Sequence, residues 1–287
     1  MMKALYSGVS GLRSHQTKMD VIGNNIANVN TNGYKTQRAT FRDVYYQTVS
    51  NPGQASAGIG GTNSSQVGYG AQIASVDTIH TLSGYSPTNK ETDIYINGDG
   101  FLKVKDASGN MYYTRYGALN FDSQGQLVDS NGSIVMGLNG DVTAAANATI
   151  AETSLVGIDI DIDKFSNITI NGDGTITGVG LDSTDAATYN KVTTLGLIAI
   201  STIPNPAALQ LDGSSYYTAG NNTGTITYHA AGLGGSGSLV TGGLEMSNVD
   251  LANEFSDMII TQRGYQANSK IITVVDEMLE ELVNMKR

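Results

Sequence analysis

Apolar residues near the start of the chain recur at steps of three, four or seven: Leu5, Val9, Leu12, Met19, Ile22, Ile26 and Val29. That spacing places them on one face of a helix. Gly8, Gly11 and Gly23 weaken the helix, each by about 1 kcal/mol relative to alanine. Asn32-Gly33 is a natural stop, since both residues tolerate the left-handed conformation that ends helices. At the other end, Leu251, Phe255, Met258, Gln262, Tyr265, Ile272, Val275, Leu279 and Leu282 keep a 3–4 rhythm long enough for a coiled-coil seam. Ser247-Asn248-Val249-Asp250 supplies a capping signal before it. Acidic Asp250, Glu254 and Asp257 at the start and basic Lys286 and Arg287 at the end suit the helix dipole.

Between these ends the period changes from 3.6 to 2. Four Asn-Gly dipeptides at 97–98, 131–132, 139–140 and 171–172 mark tight turns of the hairpin type. Phe101–Lys105 and Met111–Arg115 flank the turn Asp106–Asn110, and Asp122-Ser123-Gln124-Gly125 forms another. Ile158 to Asp163 alternates apolar and acidic residues, which predicts a strand with one acidic solvent face. Ile96-Asn97-Gly98-Asp99-Gly100 is echoed at 170–174, which suggests two similar hairpins. The fold class is therefore α+β: a discontinuous β-rich body inserted between N- and C-terminal amphipathic helices that pair as a coiled coil. The expected boundaries are 1–34 and 247–287 for the helical domain, 35–70 for a linker or extended segment, and 71–246 for the β-rich domain. Glycine-rich 232–243 reads as a second strap on the return path.

Composition sharpens this division. All four prolines and 30 of the 35 glycines lie between residues 34 and 244, so helix breakers are concentrated in the middle. Residues 1–48 carry a net charge of +4, residues 49–240 of −10 and residues 241–287 of −4, so the two ends attract each other. The net charge of −10 argues against nucleic acid. No run of 18 apolar residues predicts membrane insertion, and the N-terminus lacks the apolar stretch of a cleavable signal peptide. With no cysteine, disulfides and thiolate chemistry are absent.

A catalytic constellation is not evident. There is no G-x-S-x-G, no P-loop and no convincing G-x-G-x-x-G after a strand. The three histidines, His15, His80 and His229, are scattered and read as structural or surface residues. Asp159, Asp161 and Asp163 mimic the start of a calcium loop, but Lys164 replaces its glycine and Ile170 stands at position twelve. The expectation is no enzyme, no metal and no cofactor. The run Asn24-Asn25-Ile26-Ala27-Asn28 is unusual because asparagine is a poor helix former. It reads either as a fraying helix end or as a set of amides bonding neighbouring helices or chains. Asn24 and Asn28 share a face, and Gln262 and Asn268 are possible amide partners. A two-helix hairpin exposes much apolar surface, so another copy of the same chain is expected to cover it.

Ser7–Leu12 and Met19–Lys35 resemble the N-terminal signature of bacterial flagellar rod and hook proteins. Leu244–Phe255 and Met258–Lys270 resemble the matching C-terminal signature, and Asn97–Phe101 with Tyr113–Gly117 are similar to the family's β domain. The resemblance implies a self-assembling subunit of the bacterial flagellum, exported through the type III apparatus. Its terminal helices would line a tube and its β domains the outer wall. The partners implied are further copies of the chain, the other axial proteins (rod, hook cap, hook–filament junction) and the export apparatus. The C-terminal wording is most similar to hook members, so a hook subunit lacking an extra outer β domain is expected, transmitting torque as a flexible joint. A distal-rod subunit is the alternative within the family, and a secreted β-rich adhesin or enzyme the alternative outside it.

Overall fold

In a computed structural model, which describes residues 2–54, 60–140, 149–181 and 189–285, the chain forms two units. One comprises Met1–Val29, Thr36–Ile79 and Val249–Arg287, the other Asn30–Lys35 and His80–Asn248. The α+β arrangement expected from the periodicity is present, with a helix at each end that contact each other.

The first unit contains α1 (Met2–Ala27), β1 (Gln37–Asp43), β2 (Tyr46–Ser50), β3 (Ser65–Gly68), β4 (Ala71–Thr78) and, after the other unit, α2 (Leu251–Asn284). The residues expected to be a linker thus carry strands. β1 pairs antiparallel with β4, and β2 with β3. Backbone bonds from Val44 to Gly70 and from Tyr69 to Tyr45 join the two pairs into one ribbon. Alternation in this stretch is short and polar, so composition resembles that of a strap although its strands pair. The ribbon packs on α1 through β1 and β4. α2 begins one residue after Asp250, whose carboxylate accepts from the N–H groups of Ala252 and Asn253. The cap is therefore Asp250 rather than Ser247. Lys286 and Arg287 lie outside the described residues.

The second unit contains β5 (Tyr85–Pro87), β6 (Ile94–Asn97), β7 (Phe101–Lys105), β8 (Met111–Thr114), β9 (Leu119–Phe121), β10 (Leu127–Asp129) and β11 (Ile134–Asn139). It continues with β12 (Val156–Gly157), β13 (Phe165–Ile170), β14 (Thr175–Gly180), β15 (Val192–Ile198), β16 (Ile200–Thr202) and β17 (Gln210–Gly213), then β18 (Tyr216–Thr218), β19 (Thr227–His229), β20 (Ser238–Thr241) and β21 (Gly243–Glu245). The main sheet runs β13-β14-β15-β11-β7-β8-β18-β17. Its pairings are antiparallel, and its period of two sends successive residues to opposite faces. Leu102, Val104, Val135, Ile198 and Ile200 enter one apolar cluster. Phe101, Met136, Leu197, Ala199 and Tyr217 enter a second. Both faces of the central strands are buried, which is why Lys103, polar in the alternation, is nonetheless enclosed. Its ammonium meets Glu152 at 2.6 Å and the Tyr228 hydroxyl at 3.0 Å.

The turn predictions divide. Asp106–Asn110, Asp122–Gly125, Asn131-Gly132 and Asn171-Gly172 close hairpins. The echoed motif at 96–100 does not. β6 pairs with β20 and β7 with β8, β11 and β16, so Asn97–Gly100 is a crossover. Its glycines serve close approach: a Cβ on Gly100 would stand 2.3 Å from Ile200 Cγ2. The turn expected at Asn139-Gly140 leads into 141–148, which lie outside the described residues. Ile158–Asp161 belongs to no continuous strand beyond an isolated bridge from Asp159 to Gln126, and Ile162–Lys164 form a turn. Ile158 and Ile160 are buried as the alternation predicts, while Ile162 is exposed beyond the last of these contacts. The 232–243 segment also joins the body, through β20 on β6 and the start of β21 on β5.

One polar cluster lies inside this unit. Glu245 is 1% exposed and accepts from Lys35 Nζ at 2.6 Å and Arg115 Nη1 at 3.3 Å. Lys35 also donates to the Thr81 carbonyl at 2.7 Å, Arg115 Nη2 to the Gly98 carbonyl at 2.8 Å, and the Gly33 N–H to the Glu245 carbonyl at 2.8 Å. Burial lowers the Lys35 pKa, and Glu245 acts against that shift. The cluster stitches together segments distant in sequence (33–35, 81, 98, 115 and 245). Removing the one carboxylate would leave two buried cations facing each other. Glu245→Gln is expected to cost about 3–5 kcal/mol, read as a lower urea midpoint. Nearby His80 has its pKa lowered to about 4, first by burial and then by Lys35 and Arg115. The unfolded chain therefore binds a proton that the folded chain refuses between about pH 6.5 and pH 4. This contribution to stability is complete above pH 6.5 and lost as pH falls through that window. His80→Phe is expected to flatten the pH dependence of the melting temperature there.

Candidate assembly surface

α1 and α2 run antiparallel, and the glycines of α1 explain how. A Cβ on Gly8 would stand 3.2 Å from Ile272 Cγ1, and one on Gly11 would stand 2.8 Å from Asn268 Nδ2. A Cβ on Gly264 would stand 2.6 Å from the His15 ring. Gly23 has nothing within 4 Å of its Cβ position. Three of the four helical glycines thus sit where the helices approach most closely, a role that propensity alone does not assign them. Beyond His15 the seam continues through Lys18, whose ammonium is 3.5 Å from Asp257.

Of the asparagines, Asn25 carries the helix-linking role. It is 1% exposed. Its Nδ2 donates to the Gln37 carbonyl at 2.8 Å and to Glu254 Oε1 at 3.0 Å, while its Oδ1 accepts from the Gln37 N–H at 3.0 Å. One side chain therefore joins α1, β1 and α2. Burial raises the Glu254 pKa; Asp257 adds to that, while Asn25, Thr36 and Lys18 oppose it. Asn24 and Asn28 do share a face, and Asn28 Nδ2 donates to the Asn24 carbonyl at 2.9 Å and to its Oδ1 at 3.0 Å. The partner on α2 is Glu254, not Gln262, which is exposed; Asn268 instead seats over Gly11.

The apolar stripes are only partly enclosed. Ile22 and Val275 are buried, and Leu5, Leu12, Met19, Ile26, Val29, Met258 and Ile272 are half-buried. Leu251, Phe255, Tyr265, Leu279 and Leu282 face solvent. A second apolar set on α2 stands outside the predicted seam: Ile259 is 59% exposed, Ile260 63% and Val283 66%, with Ile271, Val274 and Met278 also exposed. A helix apolar on more than one side needs more than one neighbour, and that breadth is visible in the sequence once both stripes are counted. Beside the helices, α1 and the ribbon enclose an open groove of about 710 Å³ whose lining includes Tyr6, Val9, Tyr45 and Tyr69. No helix among the described residues is long and apolar enough to cross a membrane.

Three family descriptions match: "Flagella basal body rod protein" over residues 5–35, "Flagellar hook protein FlgE/F/G D1 domain" over 95–178, and "Flagellar basal body rod FlgEFG protein C-terminal" over 240–285. The chain is 43% identical over 288 residues to the flagellar basal-body rod protein FlgG of Bacillus subtilis (strain 168), with all of both chains covered. It is 37% identical over 288 residues to the corresponding rod protein of Borreliella burgdorferi, again with all of both covered. It is 30% identical to that organism's flagellar hook protein FlgE, all of both covered, but over 442 aligned positions. The chain belongs to the flagellar rod and hook axial protein family, structural components of the bacterial flagellum.

The two kinds of glycine can be separated by substitution. Gly11→Leu drives a side chain into Asn268 and is expected to cost about 1–3 kcal/mol. Gly23→Ala meets nothing in the chain and is expected to add up to about 1 kcal/mol. Thermal melts followed by helical circular dichroism would show opposite shifts.

Proposed function

We propose that the chain is a distal-rod subunit of the flagellar basal body, which polymerises with copies of itself into a tube around the export channel. The observation that carries the self-assembly is the exposure of Phe255, Ile259, Ile260, Leu282 and Val283 on a helix whose other side is already seated on α1. Apolar surface of that extent is covered in a working protein, and an identical helix pair offers a matching surface. The role is structural rather than catalytic. Export by the type III apparatus and contacts with neighbouring axial proteins belong to the same reading, which requires neither nucleic acid nor membrane insertion.

The rod reading replaces the hook expectation on two grounds. The rod relatives align at 43% and 37% identity over 288 positions, nearly the chain's own length. The hook relative needs 442 positions, so it carries a long stretch without counterpart among 287 residues. The similarity of the C-terminal wording to hook members reflects a terminus that rod and hook members have in common, as the shared family description over 240–285 indicates.

Deleting residues 247–287 is expected to abolish polymer formation while the β unit keeps its thermal transition. Tubes formed by the truncated chain, seen by electron microscopy, would contradict the proposal. Immunogold labelling of isolated basal bodies is expected on the rod below the hook; label on the hook would restore the other assignment. Helical circular dichroism is expected to rise on polymerisation, since glycine-interrupted helices with one shared seam are marginal alone.

A further inference from the structure

The β unit contains a second cavity, of about 280 Å³, lined by His80, Asp99, Phe101, Arg115, Thr202 and Pro206 among others. It lies against the buried ion cluster but is not filled by it. Arg115 is 4% exposed. Its Nη1 and Nη2 are used by Glu245 and the Gly98 carbonyl, while its Nε is buried with no hydrogen-bond partner. Thr202 Oγ1 is likewise buried and unmet, and the ring nitrogens of His80 are buried without a hydrogen bond of good geometry, though the Pro206 backbone acts on the ring as an acceptor. The His80 ring is fixed by edge and tilted contacts with Phe101 at 5.7 Å and Tyr217 at 5.5 Å, and the Arg115 guanidinium sits 5.3 Å above the Phe101 ring.

Unmet groups of this kind are costly unless something meets them. Neutral His80 offers one N–H, Thr202 one O–H and Arg115 one N–H, so donors predominate. The charge has the same bias. Lys35 and Arg115 share one carboxylate, Glu245, which leaves one buried positive charge in excess. Water could occupy the volume, which at about 30 Å³ per molecule holds several, but water brings no charge. Asp99, which also lines the cavity but is exposed, offsets part of that charge and disfavours a doubly charged occupant.

We infer that this cavity binds a single carboxylate group, held by the Arg115 Nε–H, the Thr202 hydroxyl and a ring N–H of His80. The carboxylate comes either from a small free acid or from an acidic side chain of a second copy of the chain.

The full-length chain, labelled with ¹⁵N, would be titrated with sodium acetate at constant ionic strength in chloride buffer, following the Arg115 Nε–H and His80 ring signals. Binding of a free acid predicts saturable shifts in both, a midpoint raised about tenfold or more in Thr202→Val, and a weaker response to inorganic phosphate. A second-copy carboxylate predicts no acetate shift but movement of both signals on polymerisation in carboxylate-free buffer, with the Arg115 signal no longer moving in His80→Phe. An unchanged melting temperature in Thr202→Val confirms that the fold is intact. If the variant unfolds, the wild-type contrast of acetate with chloride decides. Signals that stay still in both arms, or that move equally with chloride and acetate, would overturn the inference.

Discussion

An α-helix has more circumference than a single neighbour can cover. In this chain α1 is attended by α2 and by the β1–β4 ribbon, whereas α2 has one seated side and a broad apolar remainder. The seated side is made by glycines that let the backbones approach and by Asn25, which satisfies the edge of the ribbon and a carboxylate of α2 at once. The proposed self-assembly rests on that imbalance. A third α-helix in the chain could have closed it, and the described residues contain none.

The β unit answers a different constraint. Its central strands are buried on both faces, so its order is self-contained. The chain passes between the two units four times, and the Lys35–Glu245–Arg115 cluster ties residues within a few positions of three of those passages. Buried ion clusters are poor sources of net stability, and here the geometry suggests a registering role. One carboxylate fixes where an incoming, a returning and an outgoing segment meet.

Much of this is legible in residue patterns. Steps of three and four find both helices, period-two alternation finds β7 and β8, and the turns at Asp106–Asn110, Asp122–Gly125 and two of the Asn-Gly dipeptides find hairpins. The features that escape the patterns do so for physical reasons. Gly8 and Gly11 register only as a propensity cost because a sequence does not show which helix face meets a partner. The part of the ribbon before residue 71 looks like a linker or extended segment because its pairing is backbone-driven and its side chains are mostly polar. The echo at 96–100 misleads because the same turn residues serve a hairpin in one place and a crossover in another. Glu254 escapes notice as the amide partner because an acidic residue in a first helical turn already has a sufficient explanation in the helix dipole.

The bond between Asn25 and Glu254 joins residues 229 positions apart. Contacts of such sequence separation form late, because the loop they close must be ordered first. A chain emerging from its N-terminus onward holds a glycine-weakened α1 without its partner until nearly all the remaining residues have emerged. The β unit, whose hairpins are local, can mature in the interval. Order of appearance along the polypeptide thereby becomes a timer, and the helix pair is completed last.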